Sequence, residues 1–259
     1  MKNVFLVALC LACSLSATAQ SLSGLCMLSA SRHNDEVPGW QVVLASSSCD
    51  KAGENCNTNN STMPANRWTG ISAESLEKDG TNLTATLHGD AGDLTCSGLV
   101  HDHALSGRYD FVPSQTFLSQ MQTLGFDGIT PQKQLSFLML DVSATWAKQL
   151  KDLGVLDLTT NKLISLRALR VDADYIRAMA NAGYPELHAG RLIEMKAVGV
   201  TPERAREAKD LGFAPTEHEL VQMSIFHIDR AFVERMRARG LNDLTLDKLI
   251  KIKIFKVDE

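Results

Sequence analysis

Gly199-Val200-Thr201-Pro202-Glu203-Arg204-Ala205-Arg206-Glu207-Ala208-Lys209-Asp210-Leu211-Gly212-Phe213 reads as one short helix with both ends marked. Thr201 stands at the N-cap, where a side-chain oxygen accepts an otherwise unpaired amide of the first turn. Gly212 stands just past the last turn, where a residue in the left-handed conformation ends a helix. Phe213 then folds back onto that turn.

The same punctuation recurs along the second half of the chain. Gly125, Gly154, Gly183, Gly212 and Gly240 are spaced by 29, 29, 29 and 28 residues, a period that marks stacked repeats. Four residues before each glycine lie Met121, Leu150, Met179, Ala208 and Met236, and four earlier Phe117, Trp146, Tyr175, Arg204 and Phe232. That is helical spacing with one apolar face, broken only at Arg204. Ser114, Ser143, Asp172, Thr201 and Asp229 cap these helices. Pro113, Val142, Val171, Val200 and Ile228 precede the caps and suit hydrophobic staples.

A second helix fills each unit, capped by Thr130, Thr159, His188, Thr216 and Thr245, with His188 the odd member. Residues 249–255 alternate like a strand, but the repeat register makes them helical. Helices of about eleven residues are marginal alone, so neighbouring units must supply the core. Residues 113–259 are thus expected to form a short α-solenoid of about five repeats, fraying at its last residues.

The first half reads differently. Met1-Lys2-Asn3, an apolar run over 4–12 and the small residues Ala17-Thr18-Ala19 predict a signal peptide over 1–19; a lipid anchor at Cys13 is the weaker reading. No later stretch approaches the ~20 apolar residues of a membrane helix. Export makes Cys26, Cys49, Cys56 and Cys96 a disulfide framework, with Cys26–Cys96 and Cys49–Cys56 the favoured pairing and a zinc site the rival. Residues 20–112 are expected to form a small antiparallel β-domain. Its strands lie near 40–44, 83–87, 94–100 and 109–112, with a hairpin connection over 101–107 and a long surface loop over 46–66. The fold class is therefore α+β.

Charge divides at the same boundary. Residues 20–113 hold 5 basic and 11 acidic side chains, and residues 114–259 hold 20 and 19. Neither half offers the basic footprint of a nucleic-acid binder. His218-Glu219 opens like a zinc-protease motif, but Gln222 replaces the second histidine, and Glu219 suits a capping box with Thr216. His101 and His103 alternate at a strand end and better fit a hydrated hairpin tip than a metal pair. With no nucleophile elbow, phosphate loop or dinucleotide fingerprint, neither catalysis nor a cofactor or metal is expected.

Residues 199–213 resemble repeats of the type G-V-T-P-E-[YF]-[IV]-R-E-L-x-x-L-G-[YF]. These occur in bacterial exported proteins and in the extracytoplasmic tails of proteins similar to the beta-lactam-sensor antirepressor metallopeptidases. Cys96-Ser97-Gly98 and Leu105-Ser106-Gly107-Arg108-Tyr109-Asp110-Phe111-Val112-Pro113 look like the β-segment that precedes such repeats. The resemblance implies a shared module over about residues 94–259, without the peptidase's zinc motif or membrane helices. The expected role is an exported, periplasmic or secreted binding or scaffolding protein acting on a protein or envelope component. The alternatives are a regulatory module acting on a membrane partner and, least favoured, an enzyme with a site between the two halves.

Overall fold

The computed structural model describes residues 21–31, 38–49 and 56–255, the side chains of 47–49, 56 and 57 excepted. The signal-peptide reading therefore lies outside the described residues. Seven antiparallel strands come first: β1 (Leu22–Ala30), β2 (Gly39–Cys49), β3 (Cys56–Pro64), β4 (Trp68–Thr69), β5 (Asn82–Gly89), β6 (Gly92–His101) and β7 (Ala104–Pro113). Their order in the sheet is β3-β2-β1-β7-β6-β5-β4, so the two edge strands are consecutive in sequence, joined by a 3-10 turn over Ala65–Arg67. Seven flat strands would hold their edges about 29 Å apart, whereas the link from Pro64 to Trp68 reaches at most about 14 Å. The sheet must curl to bring its edges together. Its register is staggered accordingly. The line of partners Trp68–Leu87–Leu94–Phe111–Leu22 runs around the curl towards the far end of β2, as closure of a tilted sheet requires.

The inner face of the curl is filled. Leu28, Val42, Leu44, Leu87, Leu94, Leu105 and Phe111 are buried there with Trp40 and Trp68. Cys26 on β1 and Cys96 on β6 form the favoured disulfide, with Cα atoms 6.1 Å apart, although β7 runs between their strands. The β7 residue opposite Cys26 is Gly107, which in turn faces Gly98 on β6. A Cβ on Gly107 would lie 2.0 Å from the Ser97 carbonyl oxygen. The paired glycines let the strands approach and bend closely enough for the disulfide to pass over β7.

Residues 46–66 are not one long loop, because β2 runs on to Cys49 and β3 occupies Cys56–Pro64. Asn ranks low for strands, but pairing with β2 overrides local preference on this polar edge. The Gln41 side chain donates from Nε2 to Asn60 Oδ1 and accepts from the Thr62 hydroxyl at 3.2 Å. Cys49 and Cys56 are register partners across β2 and β3; a bridge between them involves side chains outside the described residues. The 101–107 connection contracts to a two-residue turn, with Asp102 and His103 both at positive φ and β7 starting at Ala104.

A single helical turn, α1 (Ala73–Leu76), precedes β5. After β7 come ten short helices: α2 (Gln115–Thr123), α3 (Pro131–Leu140), α4 (Ala144–Asp152), α5 (Thr160–Ala168), α6 (Ala173–Asn181), α7 (Ala189–Ala197), α8 (Pro202–Asp210), α9 (Glu217–Ile225), α10 (Arg230–Ala238) and α11 (Leu246–Ile254). All ten begin at the cap residues read from the sequence, and nine of those side chains accept a first-turn amide. The exception is His188. Gly125, Gly154, Gly183, Gly212 and Gly240 have φ between 77° and 96°, so each closes its helix in the left-handed conformation. Residues 249–255 are helical as far as Ile254, as the repeat register requires.

Like packs on like. The second helices α3, α5, α7, α9 and α11 contact one another in that order, α2 contacts α4, and α6 contacts α8. At the sheet end, α3 packs on β6 and β7, and Phe117 meets Phe137 edge-on at 5.7 Å. Arg67, in the turn that closes the sheet, donates to the Leu138 and Met139 carbonyls at the end of α3. The core thus runs from the sheet into the helices without interruption.

Candidate functional site

Several side chains on the helices bond the end of a helix about one repeat away. Lys151 on α4 donates to the Leu124 carbonyl that ends α2, at 2.6 Å. Lys209 does the same to Ala182 at 2.6 Å, and Arg237 to Leu211 at 2.8 Å. On the second helices Arg167 donates to Leu140 at 3.1 Å, and Ser224 to Val198 at 2.5 Å. Each bond gives a helix end of one unit a partner from the next, satisfying a C-terminal carbonyl and opposing its negative partial charge.

A second set of cations lies over aromatic rings. Arg167 covers Trp146 at 5.3 Å, Lys196 covers Tyr175 at 4.3 Å and Lys253 covers Phe232 at 4.2 Å. Arg204, the one non-aromatic member of that column, reverses the arrangement. It donates to Ser224 Oγ at 3.4 Å, and Ser224 replaces the cation on the second helix. Much of the basic charge in this half is thereby tied to backbone carbonyls and rings.

Against this regular background one place departs. His188 holds the cap position of α7 but makes no side-chain cap bond. Its Nδ1 instead lies 2.5 Å from Oδ2 of Asp157, a residue at φ 55° in the loop before α5. The His188 contact holds the Asp157 carboxyl below its ordinary value, through the hydrogen bond first and the charge second. The two loops also pair as backbone. Leu156 N–H donates to the Leu187 carbonyl at 3.1 Å, and Ala189 N–H donates to the Leu156 carbonyl at 2.9 Å. This short parallel bridge is the one isolated bridge among the described residues.

Around the pair opens a groove of about 380 Å³ lined by Asp157, Lys162, His188, Gly190, Arg191, Glu194 and Glu217. These residues come from the starts of α5, α7 and α9 or the loops before them, so the groove exists only where three units stand side by side. Arg191 and Glu194 pair across one turn of α7. The lining carries both carboxylates and cations, which suits a ligand carrying both signs of charge.

The other residues singled out in the sequence have structural surroundings. The five glycines end helices. His101 Nδ1 lies 3.6 Å from Asp79, and His103 Nδ1 lies 3.3 Å from Glu77. Each imidazole faces its own carboxylate, and no group of three metal-ligating side chains occurs among the described residues. Glu219 accepts the Thr216 amide at 2.8 Å, completing the capping box.

Sequence reading missed the conformation of one column and the bonds of another. Asp141, Arg170 and His227 adopt the left-handed conformation beside Gly199, closing the second helices without glycine. The cations at 151, 209 and 237 keep the repeat spacing, which was the available signal. No protein-family model, characterised protein or solved structure matches this chain. The fold is α+β: a curled, disulfide-bridged antiparallel sheet is followed by a run of short helices.

Proposed function

We propose that this chain is an exported binding or scaffolding protein that presents a short α-solenoid to a segment of another envelope protein. The contact centres on the groove at His188 and Asp157. One observation carries this reading: among ten capped helices, the capping rule is given up at His188 alone, where the histidine reaches into a neighbouring unit and borders a mixed-charge groove. Departures from an otherwise consistent local pattern concentrate at functional positions, and stacked units present extended surfaces whose side chains vary without disturbing the core. The Cys26–Cys96 disulfide supports an oxidising compartment. No helix among the described residues is long and apolar enough to cross a membrane.

The test places a photo-crosslinking residue at Lys162 or Arg191, with Glu234 on α10 as the control, and recovers adducts from the native envelope. Adducts are expected at the two groove positions, and His188→Thr should lower their yield about tenfold, the loss of a central contact. Equal yields at all three positions, or none at the groove, would remove the support for this surface. A regulatory module acting on a membrane partner, suggested by the repeat resemblance, would be recognised by a captured protein that itself spans the membrane.

A further inference from the structure

We infer that the helical half flexes at one place, the boundary between α4–α5 and α6–α7, and that the groove at His188 changes width as it does. Counted from α2–α3 as the first unit, this boundary lies between the second and the third. Three side chains tie the second unit to the first: Lys151 donates to the Leu124 carbonyl, Thr160 to the Asp127 carbonyl and Arg167 to the Leu140 carbonyl. Three also join the third and the fourth: Lys209 donates to Ala182, Tyr184 to Pro215 and Ser224 to Val198. Between the second and third units the corresponding positions lack the means. Ala180 stands in place of Lys151 and Lys209, Ala189 in place of Thr160, and Val155 in place of Tyr184. Lys196, at the position of Arg167 and Ser224, lies over the Tyr175 ring of its own unit at 4.3 Å. Trp146 is an independent sign of the same deficit. Its counterpart Tyr175 donates to the Val200 carbonyl at 3.0 Å, but the Trp146 indole N–H is buried without a partner.

The first helices show the same boundary. α4 and α6 approach each other less closely than α2 and α4, or α6 and α8. α8 and α10 also stand further apart, but Arg237 and the Arg230–Glu207 pair hold them. What crosses between the second and third units lies on the opposite side. There α5 packs on α7, and the bridge at Leu156 supplies two backbone bonds. The His188–Asp157 contact is the one side-chain hydrogen bond across this boundary among the described residues. Fixed along one edge and untied along the other, the two blocks open at α4 and α6 about a pivot at the bridge. Hinges concentrate motion in a few residues at element ends, and the chain crosses here through residues 169–172 alone. Asp157 and Lys162 of the groove belong to one block, and His188, Arg191, Glu194 and Glu217 to the other. A change of angle therefore moves the two walls relative to each other, and an occupant that touches both selects one angle. This consequence for binding rests on the groove reading. The flexing does not, and the crosslinking test can fail without it.

Pulsed electron–electron double resonance on the full, non-reduced chain tests the flexing. Lys148, Arg177 and Arg206 are equivalent exposed positions on α4, α6 and α8, each paired only within its own helix. Spin labels on Lys148→Cys with Arg177→Cys span the untied boundary, and on Arg177→Cys with Arg206→Cys the tied one. The unsubstituted chain, treated alike, sets the background. The first distance distribution should be about twice as wide as the second, and Ala180→Lys should narrow it to match. In the unsubstituted chain, the Trp146 indole N–H should exchange with solvent about tenfold faster than those of Trp40 and Trp68, which are buried and unpartnered in the sheet. Equal widths at the two boundaries would overturn the inference. So would a width that Ala180→Lys leaves unchanged, or a Trp146 N–H that exchanges no faster than the other two.

Discussion

The sheet and the helical array solve the same problem by different means. In the sheet, partners are distant in sequence: Leu22 pairs with Phe111, and the disulfide joins residues 70 apart. In the array, the side-chain bonds that tie one unit to the next span only 25 to 33 residues. A small curled sheet with a narrow interior gains from a covalent tie that restricts its unfolded chain. An array gains stability in increments, one interface at a time. Damage should therefore spread through the sheet but stay local in the array.

The largest expected effect is on the sheet. Replacing Cys26 and Cys96 together with Ala should lower stability by about 2–5 kcal/mol, read by denaturant unfolding of oxidised protein. Hydrogen exchange should show the strands losing protection more than α9 to α11. Uniform loss along the whole chain would show that sheet and array unfold as one unit.

Next come the rungs between units. Lys209→Ala removes the bond to Ala182 and uncovers Tyr184, and should destabilise by about 1–2 kcal/mol. The equivalent position one unit earlier is Ala180. Ala180→Lys should supply the absent rung to the end of α4 and stabilise by about 0.5–1 kcal/mol. Loss of stability in the second variant would refute the interpretation of these lysines as caps.

Alkaline pH sharpens the comparison inside the array. Tyr175 donates to the Val200 carbonyl and Tyr184 to the Pro215 carbonyl. Burial pushes both phenols up to about 12, helped at Tyr184 by Glu217 and Glu219. A raised folded value favours the neutral phenol, so this stabilisation is complete below the ordinary value of about 10. It falls away as pH rises from there towards 12. Burial raises Tyr109 in the sheet as well. Replacing Tyr175 and Tyr184 with Phe should flatten most of the alkaline loss in denaturation midpoints.

The smallest effect is at the groove. His188→Thr restores the shared cap while removing an exposed side-chain contact to Asp157, and the restored cap should stabilise by about 0.5 kcal/mol. The depressed Asp157 carboxyl makes its contribution above the ordinary carboxylate value, and that contribution is lost as pH falls through the lower folded value. In a carboxyl-detected NMR titration, His188→Thr should move the Asp157 midpoint upward. An unmoved midpoint would mean that the imidazole is not its partner in solution.

The array was legible because its determinants are local. Caps at Ser114 or Thr245 and glycines at 125 or 240 act within one turn of their own helix, so spacing alone exposes them. Residues 46–49 and 56–64 were illegible as strands because their polar composition denies what pairing with β2 imposes. The groove was half legible. His188 stood out as the wrong residue at a cap, but nothing near it in sequence names Asp157, 31 positions earlier, as its partner.

By itself, then, the sequence determined where helices start and stop and which of their faces are apolar. Those properties follow from backbone amides, carbonyls and side chains a few residues apart. Tertiary structure alone decided that the sheet curls with β3 and β4 as its edges, that lysines of one unit cap helices of another, and that His188 meets Asp157 in a groove shared by three units. Such contacts depend on the curl of the sheet and the rise from unit to unit, which no single segment encodes.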